Sequence, residues 1–196
     1  MFKSLSILFA VFFAALLFVA INSVSNANPP DQPVFIQEFI GQMNFVESRL
    51  LDLEGAMPQE LMGWEPNDEV RNTAQIFLHV AEANYMLVSF LKGENPKGEQ
   101  GNLEKSTTDK KEIAKILSES FTAVNDKAAT LTPDDLNKMS QTPFGMEMST
   151  RNFMISLLNH AHEHLGQAIA YARINGITPP WSEKQEGESE QEEAGG

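Results

Sequence analysis

Three of the four histidines fall within five residues, in the run Asn159-His160-Ala161-His162-Glu163-His164-Leu165-Gly166-Gln167, and the fourth, His79, lies in a separate apolar segment. At about 100° per residue, His160 and His164 project from one side of a helix one turn apart, and His162 points about 200° away from His160. Two imidazoles at that spacing can hold one metal ion if a third ligand arrives from a facing helix, and His79 is the candidate for it. A His-x-x-x-His pair is a weak signal by itself, and all three rings can also be read as ordinary polar residues at a helix boundary. Neither helix offers an obvious ion-pair partner for them. Unpartnered buried imidazoles would each cost on the order of 1–3 kcal/mol, a cost that a shared metal ion removes.

Two neighbours bear on the same chemistry. Gln167, seven residues after His160, returns to the same helix face and can hydrogen-bond a ligand or a substrate. Packing beside Gly166 is its other reading. Glu82, one turn beyond His79, can orient a ligand or act as a general base, or can simply be a solvated helical glutamate. The methionines Met43, Met86, Met146, Met148 and Met154 read as core or loop filler, since thioethers matter mainly for copper. A carboxylate-bridged di-iron site needs Glu-x-x-His on two helices, whereas the chain offers only the reversed His79-x-x-Glu82. No Gly-x-Ser-x-Gly motif supports a serine hydrolase.

Four amphipathic helices are expected to position these residues. The first follows Asp31-Gln32-Pro33, with proline in its first turn, and carries Ile36, Phe39, Ile40, Met43, Val46, Leu50 and Leu53 on one face before Gly55 and Pro58. The second spans about Asn72 to Lys92, with Ile76, His79, Val80, Ala83, Leu87 and Phe90 inward and Gly93 closing it, so His79 is expected to be buried. Residues 93–108 are polar and read as loop. The third helix starts at Asp109, with Glu112 as capping-box partner and Ile113, Ile116, Leu117, Phe121, Val124 and Ala128 inward. A connection over 131–148 allows one helical turn at Asp134–Lys138. The fourth helix runs from about Ser149 to Asn175, with Met154, Leu157, Leu158, Ala161, Leu165, Ala168 and Ala172 inward, then Gly176 and Pro179-Pro180. No stretch alternates long enough to predict a strand. The fold class is therefore all-α, a four-helix bundle with its longer connection between the second and third helices.

The ends read differently. Residues 1–27 combine Lys3 with a long apolar run and end in Ser25-Asn26-Ala27, the pattern of a signal peptide cleaved after Ala27. An uncleaved N-terminal membrane anchor is the other reading. The expected location is thus exported, periplasmic or secreted, with no membrane span in the mature protein. Ser182 to Gly196 holds no apolar residue larger than alanine and is expected to be a disordered acidic tail. Without Lys3, 13 basic residues face 27 acidic ones, a balance that argues against nucleic acid as a partner. There is no cysteine, hence no disulfide, lipidated cysteine or thiol nucleophile. Residues 31–181 remain as one domain with one core.

The run from Asn159 to Gln167, continuing through Tyr171-Ala172-Arg173-Ile174-Asn175-Gly176-Ile177-Thr178-Pro179-Pro180, resembles the last helix of the DinB/YfiT-like family. That helix typically reads His-x-x-x-His-x-Gly-Gln and ends in a Gly-x-x-Pro-Pro turn. The segment from Gln75 to Tyr85 resembles the family's second helix, which carries the third histidine, and the likeness covers about residues 33–181. It implies an up-down-down-up four-helix bundle with a divalent ion, zinc or nickel, bound by His79, His160 and His164 between helices 2 and 4. The family includes thiol-dependent S-transferases and isomerases. Two positions depart from its common pattern: Leu165 stands where many relatives have arginine, and Glu163 where many have another histidine. Neither change removes a ligand, but Leu165 forfeits any contact that an arginine there would make to an anionic cofactor.

Two function classes follow. The first is a metal-dependent hydrolase or transferase acting on a small molecule, because three neutral histidines leave an ion with an open position. The second is a non-catalytic metal- or ligand-binding envelope protein. Homodimerisation through a helix face is compatible with either.

Overall fold

The computed structural model describes residues 32–94 and 103–182. The expected signal peptide, Asp31 and the tail beyond Ser182 lie outside the described residues. Four long helices carry the fold: α1 (Val34–Ala56), α2 (Thr73–Lys92), α3 (Lys110–Ala128) and α5 (Thr150–Ile174). Between α3 and α5 come the short α4 (Pro133–Asn137) and an antiparallel hairpin of β1 (Met139–Gln141) and β2 (Glu147–Ser149), in which Ser140 pairs with Met148. No helix among the described residues is long and apolar enough to cross a membrane.

Local chemistry sets the ends. Asn72 and Gln75 form a reciprocal capping box at the start of α2, and Gly93 ends that helix at φ 74°. Ser149 caps α5 through the Asn152 N–H. At its other end Gly176 (φ 75°) allows the Gly176 N–H to reach Arg173 O and the Ile177 N–H to reach Ala172 O, the paired bonds of a Schellman turn. Two caps differ from expectation. Pro33 is itself the residue before α1 and makes no side-chain cap, because its ring fixes φ near helical values without offering an acceptor. Asp109 accepts the Glu112 N–H as expected, but its own N–H goes to Thr107 Oγ1, which replaces the return bond of a capping box.

Helix directions follow from contacts at the ends. Gln59, just past α1, bonds the start of α3 through Thr108 O and the Lys110 N–H, and Gln32, just before α1, reaches Ala129 O at the end of α3. Those two helices are antiparallel. Arg151 lies over Phe35 and Arg49 over Trp181, so α1 and α5 run parallel. Tyr171, near the end of α5, donates to Arg71 O just before α2, so α5 and α2 are antiparallel. The order is up-down-down-up, each helix packing on two neighbours with α1 diagonal to α2. Because α2 and α3 are parallel, α3 begins at the end of the bundle where α2 begins, and the described residues 103–109 before it include Glu104, which meets His79 of α2.

The core is a single cluster around Phe39, Phe77, Phe121 and Phe153. The expected inner faces are buried except at Ile40, His79, Phe90, Ile116 and Leu158, which are half-buried. Phe153 and Tyr171 join the core although periodicity alone did not place them there. The hairpin corrects the expectation of no strands: each strand is three residues long, too short to show alternation, and a turn with Gly145 at φ 79° closes it.

Candidate metal centre

The α2 capping box fixes where that helix starts, and His79 falls two turns inside it on the face turned to α5. His160 and His164 meet it from the middle of α5. The three ring centroids lie 4.9 Å (His79–His160), 4.7 Å (His79–His164) and 4.5 Å (His160–His164) apart, with ring planes at 66–82° to one another. One ring nitrogen from each lies within 4.8 Å of the others. Nitrogens on a tetrahedral ion with bonds of about 2.0–2.1 Å are roughly 3.4 Å apart, so small side-chain rotations close the set. His162 is elsewhere, as its angle requires: it stacks on Phe45 of α1 and bonds Leu158 O.

The hydrogen bonds around the triad assign its tautomers. His79 Nδ1 is 3.1 Å from Glu104 Oε2, and a carboxylate only accepts, so Nδ1 carries the proton. Arg71 Nη2 is 3.3 Å from the same nitrogen but can only donate, and its guanidinium is better served by Glu104 Oε1, 2.9 Å from Arg71 Nε. His164 Nδ1 donates to Gln167 Oε1 at 2.9 Å. Both rings therefore keep Nε2 as a lone-pair donor, the arrangement in which an outer acceptor orients a ligating histidine. Gln167 continues to Tyr171 Oη at 3.4 Å, and Tyr171 donates to Arg71 O at 3.0 Å. Arg71 thus anchors both supports, one through its side chain and one through its backbone.

Electrostatics favour neutral rings. Burial pushes His160 down from 6.5 to about 4, assisted by the neighbouring His164, His79 and Arg71. Burial also lowers His79, with Arg71 and His164 acting in the same direction and Glu104 opposing them. Three imidazole donors, two with their second nitrogen tied to an acceptor, fit a divalent ion of zinc or nickel type.

The structure therefore brings His79, His160 and His164 together and sets Gln167 under His164. Glu82 stands on the cleft wall, its carboxylate grouped within 4.8 Å of ligand atoms of His79 and Glu104. Two expectations need correction. His79 is half-buried, its side chain 23% exposed, because it faces a cleft and not the core. The histidines also do not lack partners: Glu104 and Gln167 supply them, so two of the three rings are satisfied on one nitrogen without any metal. Glu104, Arg71 and Tyr171 were not singled out by sequence reasoning. Glu104 comes from a single 3₁₀ turn (Leu103–Lys105) in a stretch that reads as polar loop, and only the parallel course of α2 and α3 would have pointed to it. Leu165 packs in the core, and Glu163 is exposed.

The cleft, about 420 Å³, is open to solvent and lies between α2, α5 and the hairpin, with His79, Glu82, Glu104 and His160 in its wall.

The DinB superfamily model matches residues 42–168, and the chain belongs to that superfamily. No curated protein matches the sequence. Among solved structures, a DinB-like protein from Bacillus cereus ATCC 10987 superposes with a TM-score of 0.63 at 21% identity, covering 74% of this chain and 95% of that one. A DinB-like protein from Bacillus subtilis gives 0.60 at 14% identity over 72% and 94%. YfiT from Bacillus subtilis, described as a probable metal-dependent hydrolase with an unusual four-helix bundle topology, gives 0.62 at 16% identity over 78% and 94%. These likenesses establish the fold.

Proposed function

We propose that the chain is a metal-dependent hydrolase acting on a small molecule, with one zinc or nickel ion held by His79, His160 and His164. The observation that carries this reading is the histidine triad at the wall of an open cleft: three protein ligands leave at least one position for water or substrate, the pattern of catalytic sites. The description of YfiT as a metal-dependent hydrolase supports it by analogy of fold. When bound, a divalent ion supplies Lewis acidity, polarising a carbonyl and bringing water or a thiol into its reactive form near neutral pH.

The chain's own groups do the rest. Glu104 and Gln167 hold His79 and His164 in the tautomer that leaves Nε2 outward. Glu82 accepts a proton at its carboxylate from the attacking group and returns it to the leaving group. Gln167 acts by orienting His164 and not by touching substrate. A thiol-dependent transferase uses the same site, but export through the leader, cleaved after Ala27, favours hydrolysis, because low-molecular-weight thiols are mainly cytosolic.

The second reading is a non-catalytic metal- or ligand-binding envelope protein. It is favoured by Glu82, whose carboxylate lies within 4.8 Å of a ring nitrogen of His79 and would close a position that a catalytic ion keeps open. Assaying the metal-loaded chain, the chelator-treated chain and His164→Ala against a panel of small esters, amides and lactones separates the two. Turnover that needs both metal and His164 supports the enzyme. Stoichiometric metal with no turnover on any member supports the binding protein.

A further inference from the structure

The cleft changes character along its length. Successive turns of α2 place His79, Glu82, Met86 and Phe90 in order, and α5, running the other way, places His164, His160, Leu157 and Phe153. Phe90 meets Phe153 at 4.4 Å between ring centroids, which fixes the far end of the groove opposite the histidines. Among the described residues, the polar groups of the cleft wall are His79, Glu82, Glu104 and His160, together at one end, and Ser156 farther along. Beyond them Met86, Leu157 and Phe153 form the floor, and the hairpin contributes Phe144, Met146 and Met148.

The hairpin side chains stand out. Phe144 is 61% exposed and Met146 54%, although both line the cleft. Large apolar groups left in water at a cleft mouth are covered when a complementary apolar group binds. Methionine thioethers adapt to different shapes, so such a wall tolerates a range of apolar groups. Among the described residues no lysine or arginine lines the cleft, whereas Glu82 and Glu104 do. The nearby Arg71 is paired with Glu104. A carboxylate or phosphate carried on the acyl chain would therefore meet hydrocarbon at the far end of the cleft, with no described cation to pair it.

Resting on the hydrolase reading above, we propose that the substrate is an uncharged ester or amide whose acyl part is apolar. The scissile carbonyl lies at the histidine end and the hydrocarbon runs toward Phe153 and the hairpin, with Phe144 and Met146 setting the preferred chain length. In the reaction, the oxygen of water bonds to the acyl carbon and the bond to the alcohol oxygen or amine nitrogen breaks. One proton of the water passes through Glu82 to the departing group, and the products are a carboxylic acid and an alcohol or amine. No oxidant or further reactant is needed.

The test uses the zinc-loaded full chain with p-nitrophenyl acetate, butyrate and hexanoate and the anionic hemisuccinate ester, beside displacement of Nile red by hexanamide and acetamide. The expected result is a kcat/KM at least about 30-fold higher for hexanoate than for acetate, since each buried methylene adds a several-fold factor, with the hemisuccinate poorest. In Phe144→Ser and Met146→Ser, both exposed positions that leave the fold intact, the hexanoate advantage falls below about fivefold. Hydrolysis without chain-length preference, or with the hemisuccinate preferred, overturns the proposal and leaves the hydrolase reading standing. Absence of hydrolysis with Nile red displaced by hexanamide but not acetamide overturns the hydrolase reading and keeps the apolar acyl site. No displacement by either amide overturns the site itself.

Discussion

Glu104→Gln should weaken metal binding more than any other change outside the three histidines. The Glu104 carboxylate bridges His79 Nδ1 (3.1 Å) and Arg71 Nε (2.9 Å), so it holds the tautomer of one ligand and neutralises the cation beside it. Glutamine keeps the shape and a carbonyl acceptor but removes the charge. Loss of an acceptor that orients a ligating histidine typically costs 10- to 100-fold in affinity. Here Arg71 Nη2 remains 3.3 Å from His79 Nδ1, and an unneutralised guanidinium opposes a dication. The effect should lie at the upper end, about 100-fold, or roughly 2.7 kcal/mol. Calorimetric titration of zinc into the metal-free chain measures it, with Glu104→Gln/Arg71→Met as the companion variant. That second change should recover part of the loss by removing the opposing cation. A Glu104→Gln affinity within threefold of wild type, at unchanged melting temperature, would refute the reasoning.

Other expectations follow from the same structure. Above pH 6.5 the His160 ring is neutral whether the chain is folded or not. Between 6.5 and about 4 the unfolded chain takes up a proton that the folded ring resists, so the metal-free protein loses stability as pH falls through that window, by at most about 3 kcal/mol. Urea denaturation at pH 7 and pH 5 should show the loss, and His160→Asn should lose less over the same interval; equal losses in both proteins would contradict it. Asn84 Nδ2 donates to Ser120 Oγ at 3.0 Å between α2 and α3, with both residues buried, so Asn84→Ala should cost about 1–3 kcal/mol in denaturant unfolding. Tyr171→Phe removes the bond to Arg71 O and should cost about 1 kcal/mol while leaving one metal site per chain, as unfolding and metal analysis would show.

The helices and the triad were legible because both depend on local rules. Apolar spacing of threes and fours, the Asn72 and Ser149 caps, Gly93 and Gly176 mark helix limits within one or two residues of those observed. The angle between His160 and His164 is fixed by the helix itself. The polar support is another matter. Glu104 is 25 residues from His79, and Tyr171 is 100 residues from Arg71, so no local pattern links them. The first meeting depends on the parallel course of α2 and α3 and the second on the antiparallel course of α2 and α5, which a period of 3.6 residues does not encode. The hairpin escapes the sequence pattern because its strands are three residues long, too short to show alternation. His79 was read as buried because its helix position is apolar-facing, and periodicity does not distinguish a core from a cleft wall.

The central claim is that His79, His160 and His164 bind one divalent ion. Elemental mass spectrometry of the purified chain, supplied with zinc or nickel and then freed of excess, tests it most directly alongside His79→Ala, His160→Ala and His164→Ala. The account predicts one equivalent in the wild type and loss of most of it in each variant that still shows a helical spectrum and cooperative unfolding. A wild type that takes up neither metal, or folded variants that retain a full equivalent, would contradict it.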